Sequence, residues 1–255
     1  MKPISYLIIL VFASAILFSA CEDSSTDPEN GTTENYFPDA NGNYYKYTSE
    51  ITDSNQNQNT GTRSSSYQGT QVKSGNSYQV QIDSITIAGQ TFTNIAYFRK
   101  SGSGEVLYFV DTTGLAANLP AEYQPLLALA QIDTDLKLYS PNFEGTTTWD
   151  VFAISLLANK VIEIKAYYEG KENIPLNLVT GSETKNAVKI RYALKLALPS
   201  VPVKEYTARA WFAAGIGVVK WEGNALVSGV FSGNGIDFAD SSSVVSQTLI
   251  QYSVK

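Results

Sequence analysis

The chain has no histidine and a single cysteine, Cys21. Without an imidazole it can form neither a Ser-His-Asp triad nor a Cys-His pair, and it has no histidine ligands for a metal. One thiol cannot form a disulfide within the chain or supply the several thiolates of a zinc or iron–sulfur site. These absences lead us to predict a non-enzymatic protein with no metal and no cofactor.

Basic residues are also few. The chain has 18 Lys and Arg against 24 Asp and Glu, and its formal net charge is −6. The basic residues are spread along the sequence, whereas nucleic-acid binding proteins concentrate them on one surface. We therefore expect no nucleic-acid partner.

The longest apolar run lies near the N-terminus, over residues 4–18, and is shorter than the roughly 20 residues that span a bilayer. Lys2 precedes this run and two small residues follow it, which is the three-part organisation of a signal peptide. The segment Leu17-Phe18-Ser19-Ala20-Cys21 resembles the lipobox of bacterial lipoproteins, with Phe18 where leucine is commonest. We predict a signal peptide over residues 1–20 and lipidation of Cys21.

The lipobox resemblance implies that Cys21 carries several acyl chains. Each buried CH₂ contributes about 0.8 kcal/mol to membrane binding, so such an anchor is effectively permanent. We expect the membrane to be a partner through Cys21 and the protein to reside in the cell envelope, at the outer membrane, with the periplasmic or surface side left open. Residues 21–34 are acidic and polar, and we predict that they form a flexible tether.

Residues 35–255 show period-two alternation, abundant Tyr, Val, Ile and Thr, and turns with Gly, Asn and Ser, all typical of strands. The gaps are too short for parallel crossovers, so the sheet should be antiparallel. We predict a mainly β fold with a single curved antiparallel sheet or half-barrel over this range. The candidate strands are Tyr44–Thr52, Ser65–Lys73, Ser77–Ile87, Thr91–Lys100, Glu105–Asp111, Thr147–Leu156, Lys160–Tyr168, Ala187–Leu198, Lys204–Ala213, Gly217–Trp221, Ala225–Phe231 and Val244–Val254.

One stretch follows a helical period instead. Apolar residues there recur at helical spacing and are interrupted by two prolines. We expect one or two short helices around residues 115–131 that cover a face of the sheet, and an apolar loop is the alternative. The apolar residues are Leu115, Leu119, Tyr123, Leu126, Leu127 and Ala130.

Two motifs resemble a group of Gram-negative envelope lipoproteins. Residues 36–47 (YFPDANGNYYKY) are similar to that group's opening YFP…GN.W.Y pattern, with Tyr45 in place of the usual tryptophan. Residues 211–222 (WFAAGIGVVKWE) are similar to its C-terminal GxGxVK pattern. The resemblance implies a half-barrel like those of the LolA and LolB lipoprotein carriers, and it implies no particular activity.

The segment Ala214-Gly215-Ile216-Gly217 joins two candidate strands. Two glycines spaced in this way suit a tight turn or a bulge, where positive φ or close backbone approach is required. Trp211, Val219 and Trp221 occupy alternating positions around this turn, so we expect them to share one face of the sheet.

For function we predict a binding or carrier role with a hydrophobic, lipid-like ligand. We expect the cleft to be lined by Leu115, Leu119, Leu126, Leu127, Trp211 and Trp221. The alternative is a surface module that binds a glycan or a protein through loop tips and exposed tyrosines. A hydrolase that uses two carboxylates is a weaker alternative, with candidates Asp150, Glu163, Glu169, Glu205 and Glu222.

Residues 53–64 alternate oxygen-bearing side chains but lack the glycine and glutamate of a calcium loop, which favours a solvated hairpin tip.

Overall fold

Along many strands, side chains alternate between buried and accessible positions. In the segment Tyr44–Thr52, the side chains of Tyr45, Tyr47 and Ser49 are buried while the intervening ones are more accessible. Such alternation turns one side of each strand toward a core and the other toward water. The computed structural model describes residues 34–110, 130–143, 145–156, 159–197, 202–231 and 241–255.

The described residues form thirteen strands and one helix. The elements in chain order are β1 (Tyr44–Thr52), β2 (Gln58–Lys73), β3 (Asn76–Ile87), β4 (Gln90–Lys100), β5 (Val106–Phe109), β6 (Ala130–Ile132), β7 (Asp135–Tyr139), β8 (Thr148–Leu156), β9 (Asn159–Leu178), β10 (Gly181–Leu196), β11 (Lys204–Ala213), β12 (Gly217–Asn224), α1 (Ala225–Phe231) and β13 (Val244–Ser253).

All thirteen strands belong to one antiparallel sheet, in the order β6-β8-β9-β10-β11-β12-β13-β1-β2-β3-β4-β5-β7. The sheet is open, with β6 and β7 as its two edge strands. It is also strongly curved. The curvature is evident from the hydroxyl of Tyr192 on β10, which donates to the carbonyl of Leu138 on the distant edge strand β7 at 2.7 Å. The predicted fold class, mainly β with a single curved antiparallel sheet, is confirmed.

Two-residue turns set the register of strands β2, β3 and β4. Ser74 and Gly75 have φ of 47° and 81°, and Ala88 and Gly89 have φ of 50° and 79°. Two consecutive positive φ angles define the type I′ turn, whose twist matches that of antiparallel strands. These turns connect β2 to β3 and β3 to β4, in two of the gaps between the predicted strands.

The segment Ala225–Phe231 is an α-helix, so the predicted strand there was wrong. Its start is fixed by Asn224, whose side-chain oxygen accepts the backbone N–H of Leu226 at 3.0 Å. A side-chain cap of this kind satisfies an N–H that has no partner within the helix. Leu226, Val227 and Phe231 are all buried, and this apolar composition resembles a buried strand in sequence.

Other boundaries differ from the prediction. Strand β2 begins at Gln58 rather than Ser65, and β9 continues to Leu178. The short strands β6 and β7 were not predicted, and Ala130 belongs to β6 rather than to a helix. The remaining predicted helix residues, 115–129, lie outside the described part of the chain. Within the described residues no helix is both long and apolar enough to cross a membrane.

Candidate functional site

A cavity of about 230 Å³ lies on the concave face of the sheet, bordered by strands β1–β4, β7 and β11–β13 and by helix α1. The apolar side chains that line it include Phe37, Tyr45, Tyr47, Ile51, Tyr67, Ile85, Ile87, Phe98, Leu138, Phe212, Val218, Trp221, Ala225, Phe231 and Val245. A largely apolar lining with a few polar groups is the usual composition of a small-molecule site.

Three aromatic rings pack together beside helix α1, and two of them, Trp221 and Phe231, line the cavity. Trp221 stacks on Tyr192 with ring centroids 5.6 Å apart and an interplanar angle of 21°. Phe231 of α1 packs on both, at 4.9 Å from Tyr192 and 5.5 Å from Trp221. The indole N–H of Trp221 donates to the hydroxyl of Ser228, which ties the helix to the sheet. The helix is thereby held at a fixed position over the cavity.

The two sequence motifs meet at another part of the wall. Gly215, in the turn between β11 and β12, donates its N–H to the carbonyl of Asn35 at 2.8 Å. Gly217 has φ +103°, and a Cβ there would lie 3.4 Å from Cδ of Pro38. The hydroxyl of Tyr45 donates to the carbonyl of Pro38 at 3.2 Å. Both glycines therefore serve a turn that lies against the N-terminal motif.

A polar cluster interrupts the apolar lining on strands β2, β3 and β13. Arg63 donates to Asp83 at 2.8 Å and to the side-chain oxygen of Gln247 at 3.1 Å. Asp83 is fully buried and also accepts from Ser65 and, at 3.0 Å, from Gln81. We call these five residues the polar cluster.

Burial and charge act against each other on Arg63. Burial alone would lower the pKa of its guanidinium, but the neighbouring Asp83 carboxylate raises that pKa above its ordinary value. The Arg63 guanidinium is therefore charged. The adjacent Tyr47 is a neutral phenol, because burial raises its pKa well above the usual value and outweighs the opposing effect of Arg63.

Of the two predicted cleft tryptophans, the structure places Trp221 at the cavity and Trp211 away from it. In the β11–β12 ladder, Trp221 lies opposite Ala210 and Trp211 lies opposite Lys220. Paired residues of an antiparallel ladder share a face, so the two tryptophans point to opposite faces. The prediction that the two tryptophans share a face was wrong. It counted residues straight through the turn, whereas the pairing of β11 with β12 places Trp221 opposite Ala210, the residue before Trp211.

Trp211 instead packs among charged side chains. Its indole N–H donates to Glu172 at 3.0 Å, and the ammonium groups of Lys189 and Lys220 lie 5.4 and 4.6 Å from the ring centroid. These contacts stabilise the convex side of the sheet. The other predicted cleft residues, Leu115, Leu119, Leu126 and Leu127, lie outside the described residues, as does Cys21.

Carboxylates of the alternative sites take part in a turn and in ion pairs. Asp53 accepts a hydrogen bond from the side-chain amide of Asn57 at 2.9 Å and from the backbone N–H groups of Asn57 and Asn55, both at 2.8 Å. These hydrogen bonds, the side-chain one most, lower its pKa, and the carboxylate closes a turn. No group of three His, Cys, Asp or Glu within the described ranges could hold a metal. Four of the candidate carboxylates form ion pairs away from the cavity lining: Asp150, Glu163, Glu169 and Glu222.

The sequence prediction missed the polar cluster. Arg63 precedes the strand that was predicted from Ser65 onward, so its inward orientation was not recognised. Asp83 lies in a predicted strand, two positions before Ile85 and four before Ile87, which line the cavity. The charged residue Asp83 lies on the same strand face as two apolar residues that line the cavity. Buried charges are rare unless they are paired, so this position could have indicated the ion pair.

Comparison with known proteins found no matching family and no curated relative. Among solved structures, the chain is similar to a candidate lipoprotein from Parabacteroides distasonis, with TM-score 0.44 and 13% identity over 86% of this chain and 99% of that one. A candidate exported protein with a YmcC-like fold from Bacteroides fragilis has TM-score 0.46 and 13% identity, over 86% and 99%. The hypothetical lipoprotein YmcC from Escherichia coli has TM-score 0.29 and 9% identity, over 81% and 84%.

Proposed function

We propose that this chain is a lipid-anchored protein of the cell envelope that binds a small hydrophobic ligand in its cavity and catalyses no reaction. The observation that carries the proposal is the cavity of about 230 Å³ on the concave face of the sheet. Concave, mostly apolar hollows with a few polar groups are where proteins bind small molecules.

The volume limits the ligand. A cavity of about 150 Å³ accommodates one benzene molecule, so about 230 Å³ accommodates roughly nine or ten carbon-sized atoms. This corresponds to one medium-length alkyl chain or a small ring compound. A whole diacyl lipid is too large, and only part of one of its chains would enter.

The anchor rests on the lipobox-like segment that ends at Cys21. We expect wild-type protein to partition with membranes and to incorporate radiolabelled palmitate. Cys21→Ser should abolish both, because no other cysteine can replace the thiol. Palmitate incorporation by Cys21→Ser would contradict lipidation at this residue without affecting the cavity argument.

A surface module that binds a glycan or a protein is the competing class. Large apolar side chains are exposed on β4, where Phe92 and Ile95 are 53% and 49% accessible. These two residues are three positions apart in one strand, so they lie on opposite faces and form no continuous patch. The cavity therefore supports the carrier role better.

The test is direct binding. Native mass spectrometry of protein purified from its own envelope should show a bound mass that organic extraction removes, and 1-octanol should raise the Tm of the extracted protein. Ala225→Phe, which adds a ring at the cavity lining, should abolish the octanol effect. Val203→Phe is the matched control, because Val203 is 61% exposed and does not line the cavity. An equal Tm response in both variants would overturn the proposal.

A further inference from the structure

We infer that the cavity selects ligands whose polar end is an uncharged oxygen acceptor, such as an amide, ester or alcohol, over ligands that end in a carboxylate. This inference rests on the proposed function and specifies the ligand class. It follows from the juxtaposition of the cavity with the Arg63–Asp83 ion pair.

The ion pair defines a polar end within an otherwise apolar cavity. Arg63 is the only formally charged residue among the described residues that line the cavity. Asp83, with none of its side chain exposed, pairs with the guanidinium without lining the cavity itself. A ligand in the cavity would therefore meet a cation that is already neutralised.

Arg63 has donor capacity to spare. One N–H of its Nη2 bonds to Asp83 and one of its Nη1 bonds to Gln247. Each of these two nitrogens carries a second N–H, and 19% of the Arg63 side chain is accessible. A ligand oxygen in the cavity can accept one of these N–H groups.

Charge balance decides between acceptors. A neutral carbonyl or hydroxyl oxygen accepts one of these N–H groups and leaves the cavity neutral. A carboxylate would leave a net negative charge beside Asp83, and burying an uncompensated charge is much costlier than burying a hydrogen-bonded neutral group. The Asp83 carboxylate thus acts as the selectivity determinant, although it does not touch the ligand.

The test uses octanamide and octanoate, two probes of equal heavy-atom count that fit the cavity and differ in charge. At about pH 7, calorimetry of wild-type protein should give octanamide at least about tenfold tighter binding than octanoate. If only the protonated acid binds, octanoate affinity should rise about tenfold between about pH 7 and about pH 6, whereas octanamide affinity should not change.

The variant Asp83→Asn keeps the shape of the side chain and leaves Arg63 as an uncompensated cation. We expect it to reverse the preference, so that octanoate binds more tightly than octanamide. Should this variant fail to fold, the pH dependence of the wild-type protein decides the question.

The outcomes separate the two proposals. Binding of neither probe to wild-type protein would overturn both the carrier role and the selectivity. Equal binding of the two probes, with no pH dependence for octanoate, would overturn the selectivity alone.

Discussion

Gly223 of β12 lies directly opposite Ala208 of β11, so close that a Cβ at position 223 would lie 2.4 Å from Cα of Ala208. The same Cβ would lie 2.6 Å from the carbonyl oxygen of Thr207. Both neighbours are backbone atoms of a central strand, which cannot move without disturbing the ladder. The close pairing of β11 and β12 beside the cavity therefore requires glycine, which has no side chain, at position 223.

Replacing Gly223 with alanine should destabilise the protein by about 3 kcal/mol or more, through the clash together with the cost of φ +142°. Gly181→Ala is the matched control, because Gly181 has φ +132° and no atom near the position of a Cβ. The free energy of unfolding in urea measures both. A similar loss in the two variants would mean that the close approach to Ala208 has no energetic effect.

Ligand binding should be reported by Trp221 and not by Trp211, because only Trp221 lines the cavity. The chain has three tryptophans, so Trp149→Phe combined with Trp211→Phe leaves only Trp221. We expect octanamide to shift the fluorescence emission of that variant. The control variant, Trp149→Phe with Trp221→Phe, retains only Trp211 and should not respond. A response from Trp211 alone would place the ligand on the convex face.

Glu169 links two strands on the convex face by accepting from Arg191 at 2.8 Å and from Arg209 at 2.9 Å. Burial opposes ionisation, but the two guanidinium groups prevail and lower its pKa below 4.5. A lowered folded-state pKa stabilises the protein above the unfolded-state pKa, and this contribution is lost as the pH falls through the folded-state value.

Glu169→Gln should therefore lower the urea midpoint at about pH 7, and this effect should shrink as the pH falls through the folded-state pKa of Glu169, where the wild-type side chain becomes neutral as well. NMR titration of the Glu169 side chain gives the pKa directly. A destabilisation by Glu169→Gln that does not vary with pH would indicate that packing, rather than charge, is lost.

Asn224 should set the stability of helix α1 through its cap on Leu226, and its amide also donates to the carbonyl of Ser241 at 2.9 Å. Asn224→Ala removes both contacts and should cost about 1 kcal/mol of unfolding free energy, with weaker octanol binding. Asn224→Asp keeps the capping oxygen and should recover most of that loss. Equal loss in both variants would assign the effect to the Ser241 contact instead.

Strand content and antiparallel pairing could be predicted from the sequence because each strand carries its own period-two pattern. The range of β11, Lys204–Ala213, was predicted as observed. Helix α1 was mistaken for a strand because seven mostly apolar residues do not distinguish a buried helix from a buried strand. The capping residue Asn224 was the available signal.

The candidate site was predictable only in part. Trp221 was identified from its motif, whereas Arg63 and Asp83 were not, since their pairing depends on the register between β2 and β3. That register includes an irregularity between Tyr67 and Thr70, in the stretch that contains Gly69 with φ 74°. Side-chain clusters that form across several strands depend on such registers, so single-sequence periodicity does not reveal them.

The position of β13 between β12 and β1 has a kinetic consequence. Thr48 and Thr248 lie 200 positions apart and are paired, so the centre of the sheet forms from segments made at very different times. Until β13 is synthesised, β12 and β1 are unprotected edges that can pair with other chains. Aggregation during biogenesis should therefore peak just before residues 244–253 emerge, and a synthetic β13 peptide supplied to a truncated chain should suppress it.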